Sequence, residues 1–375
     1  MKSSNNKTLI LFLCGILSLT LFSCKQKKDV PVIKVACNMP ISGGLKFYGE
    51  YLQNGVNMAM TELKDSMDKY RFFIDYDFQD NFSTENGADE ALDFQLAKGF
   101  DIYLSGVTNQ TVQILDRVKA TKKPHFIISF DPFFINKGDN LYRPYLDMEK
   151  EGRCMMEYMK QKEPKTVAFV YQNITSTNVQ FGQILEPFAK ENGFQVVLDE
   201  RYDVSLTDFK NLVLKVKKAN PDLIFVYGFQ DQLAEIIKGF NLHQIKKDGN
   251  VVCSFDFLDV QTVLPQEMLD GIVTFVPHSV VTDTGRIAQW KETFKTIYGR
   301  APLFTEAYAY DMAYSIYYAE KNLFANPNLS FEDSLLAVEF DGATGHVKYL
   351  ENGQMEYNVH PCIFKDGEFR FLSQE

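Results

Sequence analysis

Histidine is scarce in this chain of 375 residues, and the five present, His125, His243, His278, His346 and His360, show no HxxxH or similar grouping. That absence removes the usual zinc-site patterns. Cysteine is sparse as well: beyond Cys24 there remain Cys37, Cys154, Cys253 and Cys362, with no CxxC spacing. Cys37 and Cys253 fall inside apolar, strand-like runs, which suits buried free thiols better than a disulfide framework. Basic residues are outnumbered, 39 against 49 acids for a net charge of −10. Nothing here would neutralise phosphates, so a nucleic-acid partner is excluded. There is no G-x-S-x-G nucleophile elbow, no Walker loop, no G-x-G-x-x-G and no H-E-x-x-H. Asp75, Asp77 and Asp80 could suggest a metal site, but a strand end accounts for them. No catalytic residue, metal or cofactor is assigned. Carboxylate pairs for glycoside hydrolysis stay open among so many acids.

What is present begins with a leader. Lys2 and Lys7 form a short basic region, and Leu9 to Phe22 is an apolar run too short for a confident membrane span. Its end, Leu21-Phe22-Ser23-Cys24, resembles a bacterial lipobox, cut before a cysteine that becomes lipidated. An ordinary cleaved signal peptide is the alternative, and export is expected either way. Residues 1–23 are read as signal peptide and 24–31 as a lipidated, solvated tether. The remaining length exceeds what one hydrophobic core supports, so two domains are expected. Hydrophobic content of 45% and charged content of 23% are ordinary for a folded soluble protein.

From Val32 onward, strand-like and helix-like runs alternate. Val32–Cys37 reads as a strand, Leu45–Met67 as a helix, Arg71–Phe78 as a strand and Thr84–Lys98 as a helix. After a lapse between Asp131 and Glu149, the alternation restarts with helices near Met148–Lys160, Val179–Asn192 and Thr207–Ala219. Strands are read at Thr166–Tyr171, Phe194–Arg201 and Gly271–Val276, and long helices at Asp283–Tyr298 and Glu306–Phe324. Such regular alternation argues for parallel sheets covered by helices on both faces. One unit occurs twice. Asp101–Leu104, Ser105-Gly106, a helix over Asn109–Lys119 and His125–Ile128 end in Ser129-Phe130-Asp131. Asp222–Val226, Gly228, a helix over Gln230–Phe240 and Val251–Cys253 end in Ser254-Phe255-Asp256. Ligands of open α/β sheets lie beyond the carboxyl ends of the strands. Two such units facing each other would put both Ser-Phe-Asp ends at one cleft.

Four further stretches carry a family resemblance. They are Pro40-Ile41-Ser42-Gly43 with Tyr48-Gly49, Asn54-Gly55, Ala59 and Glu62; Gly106 to Ser129; Tyr298-Gly299-Arg300-Ala301-Pro302 with Ala307-Tyr308 and Asp311-Met312-Ala313; and Phe340-Asp341-Gly342-Ala343-Thr344-Gly345. In this order they resemble type I periplasmic binding proteins of the leucine/isoleucine/valine-binding branch that feeds ABC transporters. The resemblance implies an α/β fold of two doubly wound, Rossmann-like lobes joined by a three-crossing hinge. The lobes are expected at 32–146 plus 278–339 and at 147–277 plus 340–375, closing on a small molecule.

The same resemblance nominates ligand contacts. Thr108-Asn109-Gln110 stands where the family holds a ligand carboxylate at a helix N-terminus, and free N–H groups with the positive dipole end suit an anion. Asn109 capping its own helix is the plainer reading. Ser42 and Tyr48 lie in the first turn. Phe181 and Phe229 match family tyrosines without the hydroxyl, and core packing would explain them equally. Asp131 and Phe133 replace a small-residue run ending in Thr, whereas Asp256 matches the acid that faces a ligand ammonium. The standard amino-acid pocket is therefore not intact. Asp131 and Asp256 are expected to approach on closure and favour a ligand bearing an amine or amidine, or else each caps a following turn.

The expectation is an exported, lipid-anchored, monomeric solute-binding protein that delivers a small polar ligand to an ABC permease complex. A ligand-sensing or partner-regulating lipoprotein of the same fold is the rival, and an enzyme is the third reading. If Cys24 is lipidated, Cys24→Ser will move the protein from the membrane fraction to the soluble one, with the fold intact. An unchanged distribution on fractionation would count against the anchor.

Overall fold

The computed structural model describes residues 30–131, 134 and 139–372. The leader, Cys24 and most of the tether lie outside the described residues. In chain order, β1 (Val32–Met39), α1 (Lys46–Tyr70), β2 (Phe73–Asp80), α2 (Glu85–Lys98), β3 (Ile102–Gly106), α3 (Thr108–Lys119), β4 (His125–Ile128) and β5 (Leu141–Tyr142) come first. Next come α4 (Met148–Lys162), β6 (Thr166–Gln172), a helix α5 over 175–191, β7 (Gln195–Tyr202), α6 (Lys210–Ala219), β8 (Leu223–Val226), α7 (Gln230–Leu242), β9 (Val251–Cys253) and β10 (Ile272–Pro277). Then follow α8 (Gly285–Tyr298), α9 (Phe304–Ala325), β11 (Glu339–Asp341), β12 (His346–Lys348), β13 (Val359–Lys365) and β14 (Glu368–Phe371).

The strands form two sheets. One is parallel throughout, in the order β2-β1-β3-β4-β5. The other runs β14-β13-β10-β9-β8-β6-β7, parallel from β10 to β7, with an antiparallel hairpin at the β14 edge. Central strands β6, β8 and β10 are buried almost end to end. Helices cover both faces of such sheets, so the strands read as continuous apolar runs rather than alternating ones. This is the expected pair of doubly wound lobes.

Helix starts follow local hydrogen bonding. Thr84 Oγ1 accepts from Gly87 N–H at 3.0 Å to open α2, and Asp147 Oδ1 accepts from Lys150 N–H at 2.7 Å to open α4. Two boundaries move for the same reason. Asp208 Oδ1 accepts from Lys210 N–H at 2.9 Å, which delays α6 to Lys210. α5 begins at Thr175, about a turn earlier than expected, because Thr177 Oγ1 bonds back to Ile174, and it carries a π-helical stretch over Asn178–Leu185. A short helix at Phe331–Leu336, capped by Ser330, was not foreseen.

The chain passes between the sheets three times: after β5, after β10, and through the β11–β12 ribbon into β13. Arg143, 2% exposed, joins the first and third passages. Its backbone exchanges hydrogen bonds with Gly353 and Met355, and its Nε donates to Gln354 Oε1 at 2.6 Å. Asp311 of α9 clasps the third passage, accepting from Ala343 N–H and Thr344 N–H at 2.7 Å each. The four cysteines are free thiols, with Cys154 half-buried and the others buried. Among the described residues, no helix is long and apolar enough to cross a membrane.

α9 lies directly on α1, and the two approach closely at Gly55. A Cβ built there would lie 2.3 Å from Glu306 O and 2.7 Å from Ala309 Cβ. Gly55→Ala is therefore expected to destabilise the protein by about 1–3 kcal/mol through overpacking. The usual gain of up to about 1 kcal/mol from replacing a helical glycine would not offset it. Chemical denaturation will measure the difference; an unchanged or raised midpoint would show that the two helices separate at little cost.

Candidate functional site

The carboxyl ends of the strands in both sheets converge on one cleft, the position that doubly wound sheets reserve for ligands. A cavity of about 380 Å³ occupies it. From the first lobe come Tyr48, Ser83, Val107 to Gln110 and Ile128 to Phe130; from the second come Ile174, Ser176, Val204, Tyr227 and Phe229. Tyr145 of the first passage completes the wall, and no charged side chain is on the described wall. Phe130 stacks on Phe255 across the cleft with ring centroids 5.9 Å apart, so the lobes are in contact. A wider groove of about 860 Å³ runs between 279–307 and the β13–β14 hairpin and shares no lining residue with the cleft. No strand end points a loop at it from both sheets, so the smaller cavity is the candidate site.

Its polar end is the start of α3. The cap position is Val107, which has no side-chain cap bond, so the first-turn N–H groups keep their donor capacity. Asn109 is exposed within that turn rather than capping it. Thr108 Oγ1 lies 2.7 Å from Ser129 Oγ, which in turn accepts from Asp131 N–H at 3.1 Å. Gln110 is buried, and its Oε1 has no hydrogen-bond partner among the described residues. Ser83 Oγ is held by the Ser42 carbonyl and Leu45 N–H, which fixes the turn after β1 against the turn after β2.

Of the residues expected at the ligand, Tyr48, Thr108, Asn109, Gln110 and Phe229 line the cavity. Ser42 does not; it serves the turn, binding Asp80 through its N–H and Ser83 through its carbonyl. Phe181 is fully buried in the second lobe, stacked on Tyr171 at 4.9 Å and edge-on to Phe169. It lies in the π-helical stretch and faces the core. Asp131 is buried at the first passage, where its carbonyl accepts from Arg143, and it is not on the described wall. Asp256 lies behind the wall, 3.5 Å from the Tyr48 hydroxyl and 3.3 Å from Ser254 Oγ, and makes no side-chain cap to the helix it precedes. Phe133 and Cys24 are outside the described residues.

The repeated unit put Ser129 and Phe130 at the cleft through its Ser-Phe-Asp end, whereas Ser83, Tyr145, Ser176 and Tyr227 were not singled out. Tyr227 stands directly before Gly228, so chain position alone would have nominated it. Ser83 and Tyr145 reach the cleft from turns, and Ser176 from a helix start, whose direction no local pattern specifies.

These placements separate Phe181 from Phe229. Phe181→Ala will lower the unfolding free energy by about 3–5 kcal/mol, the cost of emptying a packed core site. Phe229→Ala, half-buried at the cleft, will cost clearly less. Equal losses on denaturation would contradict the assignment of Phe181 to the core.

Comparison with known proteins agrees with this geometry. The chain is similar in structure to the leucine-binding protein LivK of Thermotoga maritima, with 19% identity, TM-score 0.76, and 91% of this chain and 98% of that one covered. It is similar to the branched-chain amino acid binding protein LivJ of Streptococcus pneumoniae, solved with isoleucine, at 19% identity and TM-score 0.77, covering 90% and 97%. A solute-binding protein of an ABC transporter from R. palustris, solved with benzoate, aligns at 15% identity and TM-score 0.79 over 91% and 95%. These likenesses show the fold. The sequence itself matches the family described as periplasmic binding protein over residues 32–363, nearly the whole described chain. By that match, the chain belongs to the periplasmic binding protein family.

Proposed function

We propose that this protein is an exported, lipid-anchored solute receptor that closes two lobes on a small organic acid and presents it to an ABC permease, without turning it over. The lobes would divide at 146/147, 277/278 and 339/340. The observation that carries the ligand class is the cavity wall. Aromatic rings from both lobes (Tyr48, Phe130, Tyr145, Tyr227 and Phe229) surround a space of about 380 Å³. Hydroxyl groups and the first turn of α3 gather at one end. Pockets of this kind bury an apolar body and orient it through a few polar groups. An ammonium group brought into such a wall would lose its water without meeting a carboxylate, which costs several kcal/mol. A carboxylate, in contrast, meets N–H donors and the positive end of a helix. A compact ring or branched chain bearing a carboxylate and no amine fits best. The named relatives that bind leucine, isoleucine and benzoate bracket that size.

Ligand contacts made to both lobes favour the closed form over the open one, and closure is the signal a permease would read. A thermal-shift comparison of benzoate and 3,4-dihydroxybenzoate with leucine, isoleucine and glucose tests the class. A true ligand at 100 times its dissociation constant adds about 2.7 kcal/mol of stability. The ring acids should stabilise; stabilisation by the amino acids alone would refute the amine-free reading. Small-angle scattering should show compaction with the stabilising compound, and binding without compaction would remove lobe closure.

A further inference from the structure

Behind the tyrosines of the cleft, closure buries more acid than base. Asp256 and Asp259 belong to the second lobe and are 3% and 6% exposed. Facing them from the first lobe are Tyr48, Tyr51 and Glu306, and from the first passage Tyr145. Their own lobe adds Ser254, Tyr202, Tyr227 and Glu151. Asp256 receives two long hydrogen bonds, 3.5 Å from Tyr48 and 3.3 Å from Ser254. Asp259 Oδ1 is buried with no hydrogen-bond partner among the described residues. Arg300 stands in the same region, but its guanidinium is committed to Glu306. Glu306 also accepts from Asn54 at 3.1 Å and Leu303 N–H at 2.8 Å.

We propose that protons are a second ligand of the closed form: when the lobes close, Asp256 and Asp259 are dried against Tyr48, Tyr51 and Glu306 and take up hydrogen ions that they release on opening. This rests on the reading that the lobes open and close. Burial first, then the charge of Asp259, pushes the Asp256 carboxyl up to about 7; burial first, then Glu306, pushes Asp259 up to about 7. In an open cleft both carboxyls meet water and return toward the ordinary carboxylate range near 4. Between those limits the closed form holds protons that the open form lacks. Closure is therefore favoured at low pH, and that advantage is lost as pH rises toward 7. Glu151 differs in kind. Burial pushes it up to about 8, and its hydrogen-bond partners, Phe255 N–H and Gln180, stay with it in the second lobe on opening; the charge of Asp256 is a smaller cause.

The consequence is a receptor that holds its ligand more tightly in acid and loosens as the pH rises. The test is the closed-to-open ratio of the purified, ligand-free protein between pH 5 and pH 8, read by small-angle scattering and by energy transfer between a dye on each lobe. The ratio should fall by about tenfold per pH unit for each proton taken up, up to about pH 7. Asp256→Asn with Asp259→Asn, a neutral mimic of the protonated pair, should keep the ratio high at pH 8, and Glu151→Gln should leave the profile unmoved. Titration of the aspartate carboxyls by carbon-13 resonance keeps the question decidable if the double variant does not fold. Two carboxyls near 7 under compact conditions support the proposal, and all carboxyls near 4 overturn it. A ratio constant across the range overturns it too. So does a slope that survives the double substitution. Lobes that never change separation at any pH or with any compound would instead refute the receptor reading on which this rests.

Discussion

Arg143 carries a guanidinium to the point where two of the three interlobe passages meet, and the arrangement around it depends on satisfying that buried charge. Taking an ion out of water costs several kcal/mol, offset only when every arm is paired. Here Nε donates to Gln354, one terminal nitrogen to the Asp131 carbonyl, and the other to Asp147 at 3.1 Å. Those three partners set the local architecture. Gln354 brings the third passage against the first, Asp147 is also the cap that starts α4, and Asp131 is drawn to the hinge. Burial lowers the hold of Arg143 on its proton, while Asp147, Tyr357 and Asp131 oppose that loss. Asp311 does a parallel task on α9, with Ala343 and Thr344 on its carboxylate. Gly342 is required beside it, since a Cβ there would lie 2.2 Å from Asp311 Oδ1.

With the hinge determined this way, the cleft receives what the strand ends deliver. The first lobe contributes the open N–H groups of α3 and a set of small hydroxyls; both lobes contribute rings. Charged side chains are held one layer back, paired at the hinge or buried behind Tyr48. A cavity whose described walls carry no charged side chain selects by shape and by hydrogen-bond donors.

The repeated unit shows how far the chain could be read and where reading stopped. Both copies form as strand, helix and strand, β3–α3–β4 and β8–α7–β9, and each ends in a serine just past the carboxyl end of its last strand. The serines remain comparable: Ser129 bonds Thr108 and the backbone of Asp131, and Ser254 bonds Asp256. The aspartates two residues on diverge. Asp131 meets Arg143, twelve residues away in a segment with no counterpart in the second copy, whereas Asp256 is closed over by Tyr48 from the other lobe. Phe181 makes the same point. A phenylalanine in place of a tyrosine looks like a ligand contact or a core residue with equal force, and it faces the core from a π-helical stretch that no periodicity marks.

The amino-acid sequence alone determined the periodicities, and with them the largely parallel sheets and their helical layers, because apolar spacing and turn residues act over a few neighbours; the family was legible only through the resemblance of particular motifs. Thr108 to Gln110, at the polar end of the cleft, were nominated by the family resemblance, and they begin a helix one residue after β3. Tertiary structure decided what depends on distant partners: that Asp131 serves the hinge, that Ser83 and Tyr145 line the cavity, and that Asp256 and Asp259 are buried together. Tyr48 and Asp256 are separated by 208 positions along the chain, and their proximity is a property of two lobes packed against each other. Burial and charge pairing are set by whatever lies nearest in space, and only the folded chain specifies that.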